Sequence, residues 1–340
     1  MEKARRIVVI RPGALGDTLL TFPALGWLGR RFPSAHLTLI ARSDVLPLAR
    51  QARLATTTWP YDLPDWAPLF ADPLQPLRMI ERARETFERA DIVIAWLADP
   101  EGNVARNLRA LGVGLVLVAP GRPSERQPLR HAALQLFDAL RPLAAPDTPL
   151  PDSIDDLPAY LPVLVPDTDI TRSREDARLA QHLPEIVAHC QTPSRLVALH
   201  PGSGAAAKRW PPANFAALAR LISKVGYQPL LIEGPQDGAV CADVLTQAPE
   251  TPIVRELALT TLATLLTHCS AYVGNDSGVS HLAGLLGVFS VVIFGPTDPT
   301  LWAPVGRMVH VVRAPGGELA QLPMEQVWKT LHRALDHVGS

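Results

Sequence analysis

The chain has 340 residues, 47% of them hydrophobic and 19% charged, with a net charge of −1. That length supports two domains, each with its own core. The composition excludes a disordered chain, and the near-neutral charge speaks against general nucleic-acid binding.

Apolar β-branched runs alternate with stretches of helical period, the pattern of parallel α/β domains. No secretory leader is expected, because only four consecutive apolar residues follow the basic start MEKARR. In the first half, strands are predicted at Arg6–Ile10, Leu37–Ile40, Ala55–Thr58, Ile92–Trp96 and Leu115–Val118. Helices fall between them at Leu15–Arg31, Leu77–Glu88, Asn103–Leu111 and Arg130–Leu140. The segment Pro142 to Asp169 is rich in prolines and acids, lacks Lys and Arg, and reads as a stiff linker or edge that could act as a hinge.

In the second half, strands are predicted at Leu196–Leu199, Pro229–Ile232, Ile253–Arg255, Ala271–Val273 and Ser290–Phe294. The helices there are Ala213–Val225, Gly238–Gln247, Thr261–His268 and Ser280–Leu286, with a last one over Met324–His337. This gives domains at 1–165 and 166–325, with a C-terminal helix at 326–340 free to pack back on the first domain. Two doubly wound domains so joined would set their strand carboxyl ends face to face, where such sheets bind ligands. No apolar run is long enough to cross a bilayer. Cys190, Cys241 and Cys269 stand far apart without C-x-x-C spacing, as in a reducing cytoplasm.

Four strand-to-helix corners carry residues suited to chemistry. In RPGALGD, Gly13 and Gly16 permit a tight turn. Asp17 then fits two roles, a helix cap or a carboxylate facing the cleft. The G-x-x-G spacing is not a dinucleotide fingerprint. In HPGSGAAAKRWP, the backbone at Gly202 and Gly204 with Ser203 could line an anion that Lys208 neutralises, although the P-loop pattern is absent. In LLIEGPQDG, Glu233 ends a strand where an acid can bind ribose hydroxyls. In VGNDSGVSHLAGLLGVFSVVIFGPTDP, a strand end, an Asp276-Ser277-Gly278 turn and a short helix carrying His281 form an anion-site layout.

Together these segments resemble glycosyltransferase family 9, the heptosyltransferases that move heptose from ADP-heptose to the lipopolysaccharide inner core. The resemblance rests on GxxGDxxLTFPAL, HPGSxxxxKRWP and VGNDSGxSHLAxxLGxxxVxxFGPTDP. It implies the GT-B fold, two Rossmann-like domains facing each other across a cleft, with acceptor on the first and nucleotide-sugar on the second. It also implies an inverting transfer in which Asp17 is the general base. Ser203 and Lys208 then hold the donor diphosphate, and Asp276, Ser277, Gly278 and His281 form its phosphate-side motif. Glu233 falls near the ribose-binding acid.

No cofactor or metal is expected beyond the nucleotide-sugar itself. The expected partners are that donor and a lipopolysaccharide or other saccharide acceptor. The expected setting is the cytoplasm, with peripheral contact at the inner membrane. Two departures weaken parts of the match: three alanines, Ala205 to Ala207, precede Lys208, and WLADPEGNVARN replaces the usual acceptor-side stretch. A family 9 transferase with another sugar, or with a polysaccharide or protein acceptor, remains an alternative. So do a noncatalytic nucleotide-sugar-binding protein, a nucleotide-sugar 2-epimerase and a Rossmann oxidoreductase.

Overall fold

The computed structural model describes residues 5–72, 80–126, 128–161 and 195–338. The chain divides into two compact units, Met1–Val163 and Leu164–Ser340. The junction between them, Cys190 and the first residues of the predicted Leu77–Glu88 helix lie outside the described residues.

The first unit is a parallel five-stranded sheet of order β3-β2-β1-β4-β5. Its strands are β1 (Arg6–Arg11), β2 (His36–Ala41), β3 (Thr57–Pro60), β4 (Ile92–Trp96) and β5 (Leu115–Ala119). Burial on both faces explains the unbroken apolar runs of β1 and β4. Val8, Ile10, Val93 and Ala95 pack with Phe87, Leu108 and Trp66. Each fully buried large side chain contributes roughly 1.5–3 kcal/mol. The order reverses between β1 and β4, which makes the carboxyl ends of those two strands the switch point of the sheet.

The single helix predicted over Leu15–Arg31 is two helices, α1 (Leu15–Leu19) and α2 (Phe22–Arg31). Pro23 supplies no N–H, so a continuous helix would lose a rung there. Two short elements escaped the hydrophobic pattern: a helix at Leu46–Gln51 and a 3-10 turn at Pro64–Phe70.

The Pro-rich segment is not a free linker over its described part. Residues 142–161 run as a strap along α2. Trp27 Nε1 donates to Pro149 O at 2.8 Å, Arg31 Nε donates to Leu143 O at 2.9 Å, and Leu157 is fully buried. The approach is so close that a Cβ on Gly26 would lie 2.0 Å from Tyr160 O. Proline suits such a strap because it gives up no sheet hydrogen bond and loses little chain entropy.

The second unit is a parallel six-stranded sheet of order β11-β10-β9-β6-β7-β8. Its strands are β6 (Leu196–His200), β7 (Gln228–Glu233), β8 (Ile253–Arg255), β9 (Ala271–Asn275), β10 (Ser290–Phe294) and β11 (Val309–Arg313). Counted within this unit, the order is the Rossmann series 3-2-1-4-5-6, with its switch point between β6 and β9. The edge strand β11, VHVVR, was not predicted although it is rich in valine; of its residues only Val312 is buried.

Helices α3 to α6 of the first unit are Leu46–Gln51, Glu81–Glu88, Asn103–Ala110 and Ala132–Asp138; in the second unit α7 (Pro212–Lys224), α8 (Gly238–Gln247), α9 (Leu259–Thr267) and α10 (Gly278–Leu285) follow. The C-terminal helix Met324–Val338 packs into this same unit. Val327, Leu331 and Leu335 join its core, and Tyr227 OH donates to Leu335 O at 2.9 Å. Among the described residues no helix is long and apolar enough to cross a membrane.

Candidate functional site

In the second unit, the loops after β6 and β9 meet at the switch point, and four of the residues singled out in the sequence come together there. Ser203 Oγ donates to Asp276 O at 2.8 Å, stapling one loop to the other. Lys208 Nζ donates to Asp276 Oδ2 at 2.8 Å, and Thr297 Oγ1 donates to the same oxygen at 2.7 Å. The Asp276 side chain is 8% exposed against 31% for Lys208, so the carboxylate lies beneath and the ammonium nearer solvent. A bare carboxylate here would repel an anion; held by Lys208 and Thr297, it instead fixes the position of the cation.

Ser277, not Asp276, is the N-cap of α10, accepting from Ser280 N–H at 3.4 Å. Gly278 opens the helix, whose first N–H groups lack intrahelical partners and favour negative charge. His281 lies one turn in and is buried.

Beneath these residues the site is held by side chains that the sequence reading passed over. Asn275 Nδ2 donates to Pro201 O at 2.8 Å, and its Oδ1 accepts from Trp210 N–H at 3.0 Å. His200, the last residue of β6, is 3% exposed; its Nε2 lies 3.1 Å from Asp237 Oδ2 and its Nδ1 3.2 Å from Ser277 Oγ. Asp237 also accepts from Gly234 N–H at 3.1 Å. Burial pushes this carboxyl upward. The hydrogen bond and charge of His200, the Gly234 N–H and Arg209 outweigh burial and hold it below the ordinary carboxylate value.

A Cβ on Gly202 would lie 2.2 Å from the Asp237 carboxyl carbon, and one on Gly234 2.7 Å from its Oδ2. Both glycines are therefore required by the carboxylate between them. Glu233 sits at the carboxyl end of β7, and its Oε2 lies 3.4 Å from Arg255 Nε on the next strand.

In the first unit, Asp17 lies in α1 after β1 and is half-buried. Its Oδ2 accepts from Ala14 N–H at 3.1 Å, the reach-back of an N3 acid. Gly13, at φ 144°, makes the turn, whereas Gly16 sits within the helix. The break between α1 and α2 leaves the Asp17 carbonyl without a helical amide, since Thr21 N–H donates to Thr18 O. Arg11, at 3% exposure, fills the gap: Nη2 donates to Asp17 O at 3.0 Å, and Nη1 to Gly121 O at 2.7 Å and Trp96 O at 3.4 Å. Burial lowers the Arg11 pKa, and the charge of Asp17 opposes that shift. Asp99, in the stretch that departs from the family pattern, caps the Asn103–Ala110 helix, accepting from Val104 N–H at 3.1 Å and Ala105 N–H at 3.0 Å. Among the described residues, no group of three or more His, Cys, Asp or Glu could hold a metal ion.

The family profile described as glycosyltransferase family 9 (heptosyltransferase) matches residues 159–332. Lipopolysaccharide heptosyltransferase 3 of Escherichia coli is 22% identical over 324 residues, covering 91% of this chain and 88% of that protein. Among solved structures, a glycosyl transferase family 9 protein from Veillonella parvula has a TM-score of 0.75 at 20% identity, covering 99% of each chain. The E. coli ADP-heptose lps heptosyltransferase II has a TM-score of 0.73 at 19% identity, covering 98% of this chain and all of that one. With two parallel Rossmann-like sheets, the chain has the GT-B fold class of these proteins. It belongs to glycosyltransferase family 9, the heptosyltransferases, and is a transferase enzyme.

Proposed function

We propose that this enzyme moves a heptose from ADP-heptose to a lipopolysaccharide-type saccharide by a single inverting displacement. The observation that carries the reading is the cluster at the second switch point, where Lys208, held by Asp276, stands with the Ser277 helix start. The reaction must break an anomeric C–O bond to a diphosphate while an acceptor hydroxyl attacks from the opposite face. Charge then grows on the leaving phosphate and positive character on the sugar ring. Lys208 and the N–H groups at Ser277 and Gly278 would meet that growing charge. Each preorganised donor of this kind is worth on the order of 100-fold or more in rate. The helix end adds only about 0.3–1 kcal/mol and assists the lysine without replacing it.

On the first unit, Asp17 would take the acceptor proton as the bond to the anomeric carbon forms. A carboxylate is a weak base toward an alcohol at neutral pH, so the transfer is late and concerted, when the hydroxyl has become acidic. The reach-back to Ala14 holds Asp17 in one rotamer, and Arg11 fixes the backbone under it. The chain would work on the cytoplasmic face of the inner membrane, where such an acceptor is presented.

A thermal-shift screen of ADP-, UDP- and GDP-sugars tests the donor. Selective stabilisation by ADP-heptose supports the reading, and selective stabilisation by a UDP- or GDP-sugar replaces it. Release of ADP only when a heptose-acceptor saccharide is added separates transfer from epimerisation or simple binding.

A further inference from the structure

We propose that His200, joined to Asp237 on one side and Ser277 on the other, is a positioning residue that takes up a proton when a nucleoside diphosphate binds, turning the Ser277 hydroxyl toward the phosphate. The proposal rests on the donor-site reading above and adds a charge to it that lies behind the helix start.

The hydrogen-bond directions follow from the partner of each ring nitrogen. Asp237 Oδ2, 3.1 Å from Nε2, accepts the imidazole N–H, and this leaves Nδ1 of the neutral ring as an acceptor. Ser277 Oγ, 3.2 Å from Nδ1, then gives its hydrogen to the ring. The hydroxyls around it are already committed: Ser280 Oγ, 3.3 Å from Ser277 Oγ, donates to Asn275 O at 2.5 Å and accepts from Tyr272 OH at 2.9 Å. In this state Ser277 has no hydrogen to offer an anion, although it caps a helix that faces one.

A proton on Nδ1 reverses the chain. The ring then donates to Ser277 Oγ, which already accepts from Ser280 N–H, and the serine O–H is released to a phosphate oxygen. Imidazole is the side chain able to make this change near neutral pH. A diphosphate one hydroxyl away favours the imidazolium, and Asp237 stays as its counter-ion.

Charged and titratable groups on the neighbouring elements bear on this change. Arg209 Nη2 lies 3.9 Å from Asp237 Oδ1 and opposes a second cation, while Lys208 is already paired with Asp276. Cys241 on α8 is held neutral, burial pushing its thiol up to about 12. Burial also raises the Tyr272 phenol on β9 far above its usual value. Asp276 and His281 complete the set on the β9–α10 side.

Calorimetry of ADP binding at pH 8, where the phosphates of ADP are fully ionised, tests this in buffers of differing ionisation enthalpy. The wild-type chain should take up a substantial fraction of one proton per ADP bound. Ser277→Ala and His200→Gln should take up none and bind ADP about tenfold more weakly, the loss of one hydrogen bond to a charged group. ADP binding without proton uptake by the wild type, or equal uptake by Ser277→Ala, overturns the relay alone. Failure of the wild type to bind ADP overturns the donor-site reading and the relay with it. Should His200→Gln not fold, Ser277→Ala decides, because it leaves the His200–Asp237 pair intact.

Discussion

Replacing Lys208 with Met probes the charge pair on which the proposed donor site depends. Lys208 Nζ lies 2.8 Å from Asp276 Oδ2, whose other partner is Thr297 Oγ1 at 2.7 Å. Removing the ammonium does two things to a bound diphosphate. It deletes a charge-assisted hydrogen bond, worth about 1.5–3 kcal/mol. It also leaves the Asp276 carboxylate uncompensated beneath the anion. Two like unit charges about 6 Å apart at an effective dielectric near 20 repel by about 3 kcal/mol. Together these weaken ADP binding by about 10³–10⁴-fold. Adding Asp276→Asn to Lys208→Met removes the repulsive part and should recover about two orders of magnitude. The assay is ADP titration of the wild type, both single variants and the double, read as a double-mutant cycle with thermal melts to confirm folding. A double variant that binds no better than Lys208→Met alone would refute the reasoning, because the carboxylate would then carry no charge that the ligand feels.

Asp17→Asn should lower turnover by about 10²–10⁴-fold while leaving ADP affinity within about twofold. Steady-state kinetics beside calorimetry checks this, and an equal loss of donor affinity would remove Asp17 from the base role. Arg11→Met removes the guanidinium donors to Asp17 O, Gly121 O and Trp96 O in a buried setting, leaving only Thr21 Oγ1 on Asp17 O. The expected cost is about 3 kcal/mol, or a melting temperature lower by about 6–12 °C, with turnover reduced and ADP binding kept. An unchanged melting curve would show that water replaces the guanidinium without cost. Asp237 has a carboxyl more acidic in the folded state than its ordinary value. Its contribution to stability is therefore complete above about pH 4 and lost as pH falls through the lower folded value. The wild-type melting temperature should accordingly fall more steeply below about pH 4 than that of Asp237→Asn. Parallel profiles would mean the carboxylate is not stabilised by His200 and Gly234.

Most of the fold was legible because its strands are apolar β-branched runs and its helices amphipathic. What escaped were elements whose signal is tertiary. The edge strand Val309–Arg313 is mostly exposed, and the helix Leu46–Gln51 is too short to show a period. The Pro-rich segment does contain the boundary between the two units, but its packing could not be read, because composition reports a lack of regular structure, not a lack of packing. Its tie to the first unit depends on Trp27, Arg31 and the missing side chain of Gly26. The site divides the same way. Ser203, Lys208, Asp276 and Ser277 sit on two loops with recognisable turn residues, and those loops meet. His200 and Asp237 were invisible as a pair, since residues 37 positions apart show no spacing until a sheet brings β6 beside β7.

The residues hardest to read in sequence share one physical task. At a switch point the chain leaves adjacent parallel strands in opposite directions, so backbone groups at the strand ends lose their ladder partners where the ligand must approach. In the first unit the buried Arg11 fills that gap, reaching the Asp17, Trp96 and Gly121 carbonyls from the end of β1. In the second unit Asn275, at the end of β9, serves Pro201 O and Trp210 N–H, and Ser203 serves Asp276 O. A helix cap or a turn can satisfy its own segment, but these gaps lie between segments and call for side chains with two or more hydrogen-bonding arms. Arg11, Asn275 and His200 at strand ends, with Asp237 at the start of α8, thus tie the loops together from below.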